Sequence, residues 1–295
     1  MIDLIKKELI DPNEEYVIYK NGKFIFGNGP RTLNIKRSGS LKIIHVIDDN
    51  AEIMINVNAG IAIALKEVFY KVTNNSDIKI TLHVGDGARV DYISFKQNNE
   101  CDNIGFTANT IMGENSYINN KNLSIFSSES KLIDNIYLKN INSKIDMENV
   151  IINVSGEKQF FQYDIYHQAA ATTSTMNNYG ISKYKSVLDI KSNGIIEKNA
   201  KKTQLIQKTK GLIIDMYSAI SADPILRIDE YDCIANHGAS IGAINEDELY
   251  YLMSRGLSYE DAEKLIISGF INPFFVDMSE DKSVDFMKFM IDKIL

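Results

Sequence analysis

Two cysteines in 295 residues are too few for a disulfide framework, and Cys101 and Cys233 lie more than a hundred residues apart. Each reads as the free thiol of a reducing compartment. The histidines are as sparse. His45, His83, His167 and His237 form no Cys/His cluster with the spacing of a closed zinc site, so a metal centre has to be assembled in space or between chains. Basic charge is short too: the formal net charge of -7 leaves no positive field to hold phosphate backbones, which argues against a nucleic-acid partner. No run approaches the roughly 20 apolar residues that span a bilayer. The first eight residues, MIDLIKKE, lack the order of a secretory signal. The expectation is a cytoplasmic chain without a membrane segment. What is present suffices for a core: 44% hydrophobic residues, enough for one large domain or two ordinary ones, with lysines and acids interspersed rather than blocked.

From about Ser38 to Asp232 short alternating runs dominate, such as LKIIHVI from Leu41 and IKITLHV from Ile78. Alternation with period two predicts strands. Turn clusters rich in Asn, Ser, Asp and Gly separate them at intervals of roughly ten residues, as at Asn74 to Asp77, Gly85 to Gly87, Gly113 to Ser116 and Asn140 to Ser143. Two all-β architectures suit this spacing, an antiparallel sandwich or barrel and a stacked parallel β-helix. Asparagines recur at turn-like positions between Asn103 and Asn153, as left-handed corners and inter-rung stacking require; compositional bias explains them equally well. Ahead of these, Tyr16 to Tyr19 and Lys23 to Phe26 flank Asn21-Gly22 and predict a hairpin.

The last fifty residues change period. Asn245 with Glu248 three residues later starts a helix that carries Leu249, Leu252 and Met253 on one face and stops at Gly256. Ser258 and Asp261 repeat the device for a stripe of Ala262, Leu265 and Ile266 that Pro273 breaks, and Ser279 to Leu295 carries a third stripe. Tyr250, Tyr251, Phe286 and Phe289 are candidates either for a partner surface or for plain core packing.

Among residues able to do chemistry, His237 comes first, because a neutral imidazole where a strand meets a Gly-Ala-Ser turn can ligate metal or serve as hydrogen-bonded structure. If residues 232 to 237 are extended, Cys233, Ala235 and His237 share a face and Asp232 takes the other. Cys233 is then a displaced ligand or a buried structural thiol. Asp229 and Glu230 are carboxylates without special spacing. Cys101 sits in a polar loop whose acidic neighbours dull it as a nucleophile. His167, before a turn, reads as structural. Gly85-Asp86-Gly87 lacks the Gly-Lys-Ser/Thr of a phosphate loop, so no nucleotide is expected on this chain.

The segment from Pro224 to Phe270, with HGASIG at His237, ELYYL at Glu248, Ser254-Arg255-Gly256 and Gly269-Phe270, resembles the C-terminal signature of the SufB/SufD family of iron-sulfur cluster assembly scaffolds. The resemblance extends more softly back to Ile78, through HVGDGARV and TANTIMGENS. It implies a mainly β fold, a right-handed parallel β-helix with C-terminal α-helices, divided as an N-terminal cap or meander at 1–37, a core at 38–244 and a helical ATPase-docking region at 245–295. The family's larger members carry a helical N-terminal region with no room here, so the chain is expected to be a minimal version. It departs from the pattern where many relatives have Cys-Ser-His-Gly and this chain has Ala235-Asn236-His237-Gly238. SufB-like members have Glu after the histidine, so Gly238 leans SufD-like.

By resemblance the chain is a non-catalytic scaffold that holds a transient iron-sulfur cluster at a dimer interface through His237 and Cys233, with Cys101, Glu230 and Asp232 as further candidates. The partners implied are a second copy or a SufB-like sister, and a SufC-like ABC ATPase docked through Glu248, Tyr250, Tyr251 and Arg255. A cluster-free adaptor of the same complex is the alternative. More remote is a carbohydrate-active β-helix enzyme, which requires paired carboxylates along a groove.

Overall fold

The alternating runs become strands, and each turn cluster becomes a corner. A computed structural model describes residues 1–98 and 103–295. In chain order these form α1 (Ile2–Leu9), β1 (Tyr16–Lys20), β2 (Lys23–Gly27), β3 (Asn34–Ile35), β4 (Gly39–Ile47), β5 (Ala51–Val57), β6 (Ala62–Val72), β7 (Ser76–Val84), β8 (Arg89–Gln97), β9 (Asn103–Met112) and β10 (Tyr117–Phe126). There follow β11 (Glu129–Leu138), β12 (Lys144–Asn153), β13 (Lys158–His167), β14 (Thr173–Ser182), β15 (Val187–Ile196), β16 (Thr203–Ile213), β17 (Ala219–Ile228), β18 (Cys233–Ala243), α2 (Glu246–Ser254), α3 (Tyr259–Phe275) and α4 (Lys282–Ile294). From β3 onward successive strands go alternately to two sheets. Among the described residues one is ordered β18-β16-β14-β12-β10-β8-β6-β4-β1-β2 and the other β17-β15-β13-β11-β9-β7-β5-β3. Apart from the β1–β2 hairpin every pairing is parallel, which makes the chain a parallel β-helix, as the resemblance implied.

Every second residue of each strand points to the axis. In β7 these are Ile78, Ile80, Leu82 and Val84, all nearly fully buried, and across the coils Phe106, Phe126 and Phe161 stack on one another at 5.5 and 6.0 Å. Corners demand close backbone approach: a Cβ at Gly85 would lie 2.5 Å from the Ala59 amide nitrogen, so only glycine fits. The asparagines divide in a way the sequence did not foretell. Asn115 and Asn142 do take left-handed corners, with φ of 55° and 58°, and their side chains bond across coils at 2.9 Å. Most of the others lie within strands. Asn122, Asn149 and Asn178 form a ladder on the axis, each amide donating to the next at 2.9 and 2.8 Å, and Asn178 reaching Thr209 at 3.2 Å. Asn149→Ala orphans a buried donor on Asn122 and a buried acceptor on Asn178, so a loss of about 2 kcal/mol is expected, read as a lower urea midpoint at unchanged slope.

The larger sheet is apolar on its outer face as well, which is why β4 is buried almost end to end rather than alternating. Against Ile44, Val68, Phe95, Leu123 and Val150 of that face pack α1, α3 and α4, through Ile5, Leu9, Ile267, Phe274 and Met287. Four lysines of the larger sheet tie the helices down, the first being Lys42 of β4, which donates to the Leu9 carbonyl at the end of α1. Lys66 pairs with Asp281 at the start of α4, Lys121 donates to the Phe274 and Val276 carbonyls at the end of α3, and Lys183 pairs with Glu263. Two expectations change here, and an open alternative is decided. The N-terminal segment carries a helix, α1, which tucks its Ile5 and Leu9 under the same layer. Helix α3 runs through Pro273 to Phe275, because a proline near a helix end forfeits few backbone bonds. Phe286 packs on Tyr70 and Phe95 at 5.8 Å and belongs to the core, whereas Phe289 is 60% exposed.

Candidate functional site

The two sheets end together at β17 and β18, and no described strand lies beyond either. The consequence shows in burial. The axial residues of β14 and β15 are sealed by the coils on either side, while β18 is exposed along most of its length and β17 is at best half-covered. The register carries the axial columns straight into this open end: Thr203 pairs with Cys233, Leu205 with Ala235, Gln207 with His237 and Thr209 with Ala239. Cys233, Ala235 and His237 therefore do share the axial face, as the extended-strand reading expected. Cys233 and Ala235 lean on the Ile196, Ala200 and Leu205 cluster, and His237 stands exposed because nothing stacks above it.

The chemistry of the neighbouring groups follows from the turn before β18. The carboxylate of Glu230 accepts backbone amides from Tyr231 at 2.9 Å, Asp232 at 3.1 Å and Asn199 at 3.0 Å, and these bonds hold it below the usual carboxylate range. It is a turn-closing group. Asp232 is exposed, with its carbonyl bonded to the Lys202 amide. Partial burial, reinforced by Glu230 and Asp232, pushes the Cys233 thiol up, and its Sγ donates to the Glu230 carbonyl at 3.2 Å. A thiol so placed is protonated at neutral pH and becomes a ligand by giving its proton up to a metal. Cys101 lies outside the described residues.

Among the described residues the fold gathers one set of three potential ligands, Asp11, Glu14 and Asp281, whose oxygens lie within 4.8 Å of one another. Nothing in their sequence spacing signals this, since Asp281 comes from the far end of the chain. Lysines already answer the charge: the buried Lys42 lies 2.7 Å from Glu14, and Lys66 pairs with Asp281. The cluster clasps the two ends of the chain together. His167, as expected, is structural: both ring nitrogens are bonded at 2.8 Å, to Thr172 and Ser174, and burial lowers it to about 3.

Two residues after β18 the chain enters α2, started by Asn245, whose side chain accepts the Asp247 and Glu248 amides. Gly256, at φ 98°, ends it. Leu249 is its one buried residue. Tyr250 and Tyr251 are 76% and 57% exposed, Glu248 is exposed, and Arg255 lies over the Tyr251 ring at 5.2 Å. Beside them a groove of about 420 Å³ runs between α2 and α3, lined by Asp247, Glu248, Tyr251, Leu252, Leu265 and Ile266. Among the described residues no helix is long and apolar enough to cross a membrane.

Known proteins are similar to this chain in sequence. A family model described as "SUF system FeS cluster assembly, SufBD core domain" matches residues 47–270. The iron-sulfur cluster assembly protein SufD of Bacillus subtilis is 34% identical over 128 residues, 43% of this chain and 29% of that protein. A SufBD family iron-sulfur cluster assembly protein of Pyrococcus horikoshii is 29% identical over 183 residues, 60% of this chain and 39% of its own length. Another from Galdieria sulphuraria is 28% identical over 137 residues, 46% of this chain and 62% of its own. The match thus spans less than two thirds of each of these relatives.

Proposed function

This chain belongs to the SufBD family of SUF-system iron-sulfur cluster assembly proteins, and from that premise we propose that it is a scaffold subunit that pairs through the open end of its β-helix and carries a transient cluster there. The observation that supports this most is the unsealed last coil, with Cys233 and His237 on its axial face. A row of unpaired backbone groups along β18 invites a second strand. Four residues of extended chain separate the two candidate ligands by about 13 Å, too far for both to bind one metal ion. Two copies paired about a two-fold axis near Ala235 bring Cys233 of one opposite His237 of the other, so the site belongs to the pair and supplies ligands from both chains. A SufB-like sister subunit in place of the second copy supplies its own set.

Helix α2 is the docking element for a SufC-like ABC ATPase in this reading, with Tyr251 and Arg255 as anchors. Because residues 244 and 245 alone separate it from β18, force applied to α2 by ATP-driven movement of the partner reaches the pairing strand directly. No nucleotide binds this chain, and its working place is the cytoplasm.

The test is anaerobic reconstitution with iron and sulfide, with iron content and absorbance read for wild type, Cys233→Ser and His237→Ala. Wild type is expected to bind iron as a dimer, each substitution to cut the iron bound several-fold, and binding to strengthen with pH as the Cys233 proton becomes easier to remove. The adaptor reading is favoured by Ala235 standing where relatives have cysteine and by the Cys233 thiol being tied to the Glu230 carbonyl. No iron in wild type would favour it, and full iron loading in both variants would overturn Cys233 and His237 as the ligands.

A further inference from the structure

The surface around α2 has a charge pattern that specifies its partner more closely than exposure does. Between residues 246 and 263 six carboxylates stand against one guanidinium. Two of the six are occupied within the chain, Glu263 by Lys183 and Asp261 by the Ser258 cap. Glu246, Asp247, Glu248 and Glu260 are exposed, and none has a cationic partner among the described residues. They crowd the first turns of α2 and α3, while the exposed apolar residues Tyr250, Tyr251, Tyr259 and Leu265 lie among and beyond them. The one cation between residues 246 and 263, Arg255, is held over Tyr251, and the Lys264 that follows is paired with Asp292. An apolar centre with an acidic rim is complementary to an apolar cleft with a basic rim, since matching rim charges speed encounter and suppress wrong partners.

We propose that α2 and the first turn of α3 are read by a protein cleft with an apolar floor and a lysine- or arginine-rich rim, the cleft being on the ATPase subunit. This rests on the docking role given above to α2 and adds the chemistry of what receives it. Glu246, Asp247 and Glu248 steer the approach and hold the register, and Tyr251 supplies the buried contact. A salt-sensitive association rate is the signature, because rim pairs stay in water and are screened.

The experiment measures association of the full chain with the SUF ATPase by surface-based kinetics at about 50 mM and about 500 mM salt. The variants are Glu246→Gln/Asp247→Asn/Glu248→Gln, Glu260→Gln and Tyr251→Ala, with helix content followed by circular dichroism. Neutral substitutions are used because reversing charge in the first turn of α2 opposes the helix dipole, and Glu260→Gln tests the rim from another helix. Wild type is expected to lose about tenfold in association rate across that salt range, and the triple variant to start near the high-salt value and lose little more. Tyr251→Ala is expected to raise the dissociation rate instead. Salt-insensitive binding that Tyr251→Ala still weakens would overturn the basic rim and leave the docking helix standing. No binding, or binding untouched by every variant, would remove the docking role and the rim with it.

Discussion

Truncation of Glu67 to alanine is expected to cost about 3–5 kcal/mol of folding stability, as removing one partner of a buried ionic network does. Glu67 and His45 are fully buried on the axis, 2.8 Å apart through Nε2 and Oε1, and the Tyr92 hydroxyl donates to the other carboxylate oxygen. Burial pushes Glu67 up, but His45, the nearby Lys96 charge and Tyr92 more than offset it, so the carboxyl sits below its usual range and is ionised at neutral pH. Without it the buried Lys96 loses a counter-charge, the Tyr92 hydroxyl loses its acceptor and His45, whose Nδ1 is already unpartnered, loses its one bond. Because the folded value is depressed, this stabilisation is complete above the unfolded value of 4.5 and is lost as pH falls through the folded one. Urea denaturation of wild type and variant should differ by that full amount at neutral pH, and the difference should narrow in acid. A loss under about 1 kcal/mol at neutral pH would mean the network is not the buried ionic unit its geometry indicates.

Asp134→Asn is expected to act in the opposite direction, raising stability at neutral pH by up to about 3 kcal/mol. Asp134 lies on the same axis, one oxygen without a partner, and burial pushes its carboxyl from 3.8 up to about 6, Lys96 opposing and Asp164 reinforcing. An acid with a raised folded value is most easily accommodated when protonated. Its penalty is absent below the unfolded value, builds between about pH 4 and 6, and is complete above that. Asparagine keeps the shape and removes the charge. The gain is reduced by whatever Lys96 loses with its neighbour. Thermal denaturation near pH 8 should favour the variant, and near pH 4 the two proteins should melt together. A variant less stable at both would show that Lys96 depends on the Asp134 charge more than burial penalises it.

How much of this the sequence disclosed depends on the range of the interaction. The strands, the hairpin at Asn21-Gly22 and the helix starts at Asn245 and Ser258 were all legible, because period and capping are written within a few residues. The common face of Cys233, Ala235 and His237 was legible for the same reason. The choice of β-helix over sandwich was not, since both use the same alternation and differ in which strand lies next to which; the resemblance supplied it. Asn122 and Asn149 looked like corner residues, because their role depends on neighbours 27 and 29 positions away. Phe286 stood open between a partner surface and core packing, because Tyr70 and Phe95, on which it packs, are far away in the chain. The axial acids and bases escaped altogether: His45, Glu67, Tyr92, Lys96 and Asp134 alternate like any half-buried strand residues, and only the winding of the chain turns their faces inward together.

The lysine ties reach from β4 into α1 and from β6, β10 and the end of β14 into α3 and α4, and among the described residues none falls beyond Lys183. Coils bridged by one helical layer gain and lose their order together, whereas the last coil joins that layer at its end, through Ile244, and along β17 and most of β18 is held by its single neighbour. Amide hydrogens of β17 and β18 should then exchange through partial openings far cheaper than global unfolding. The end that pairs can come undone and re-form while the rest of the molecule keeps its shape.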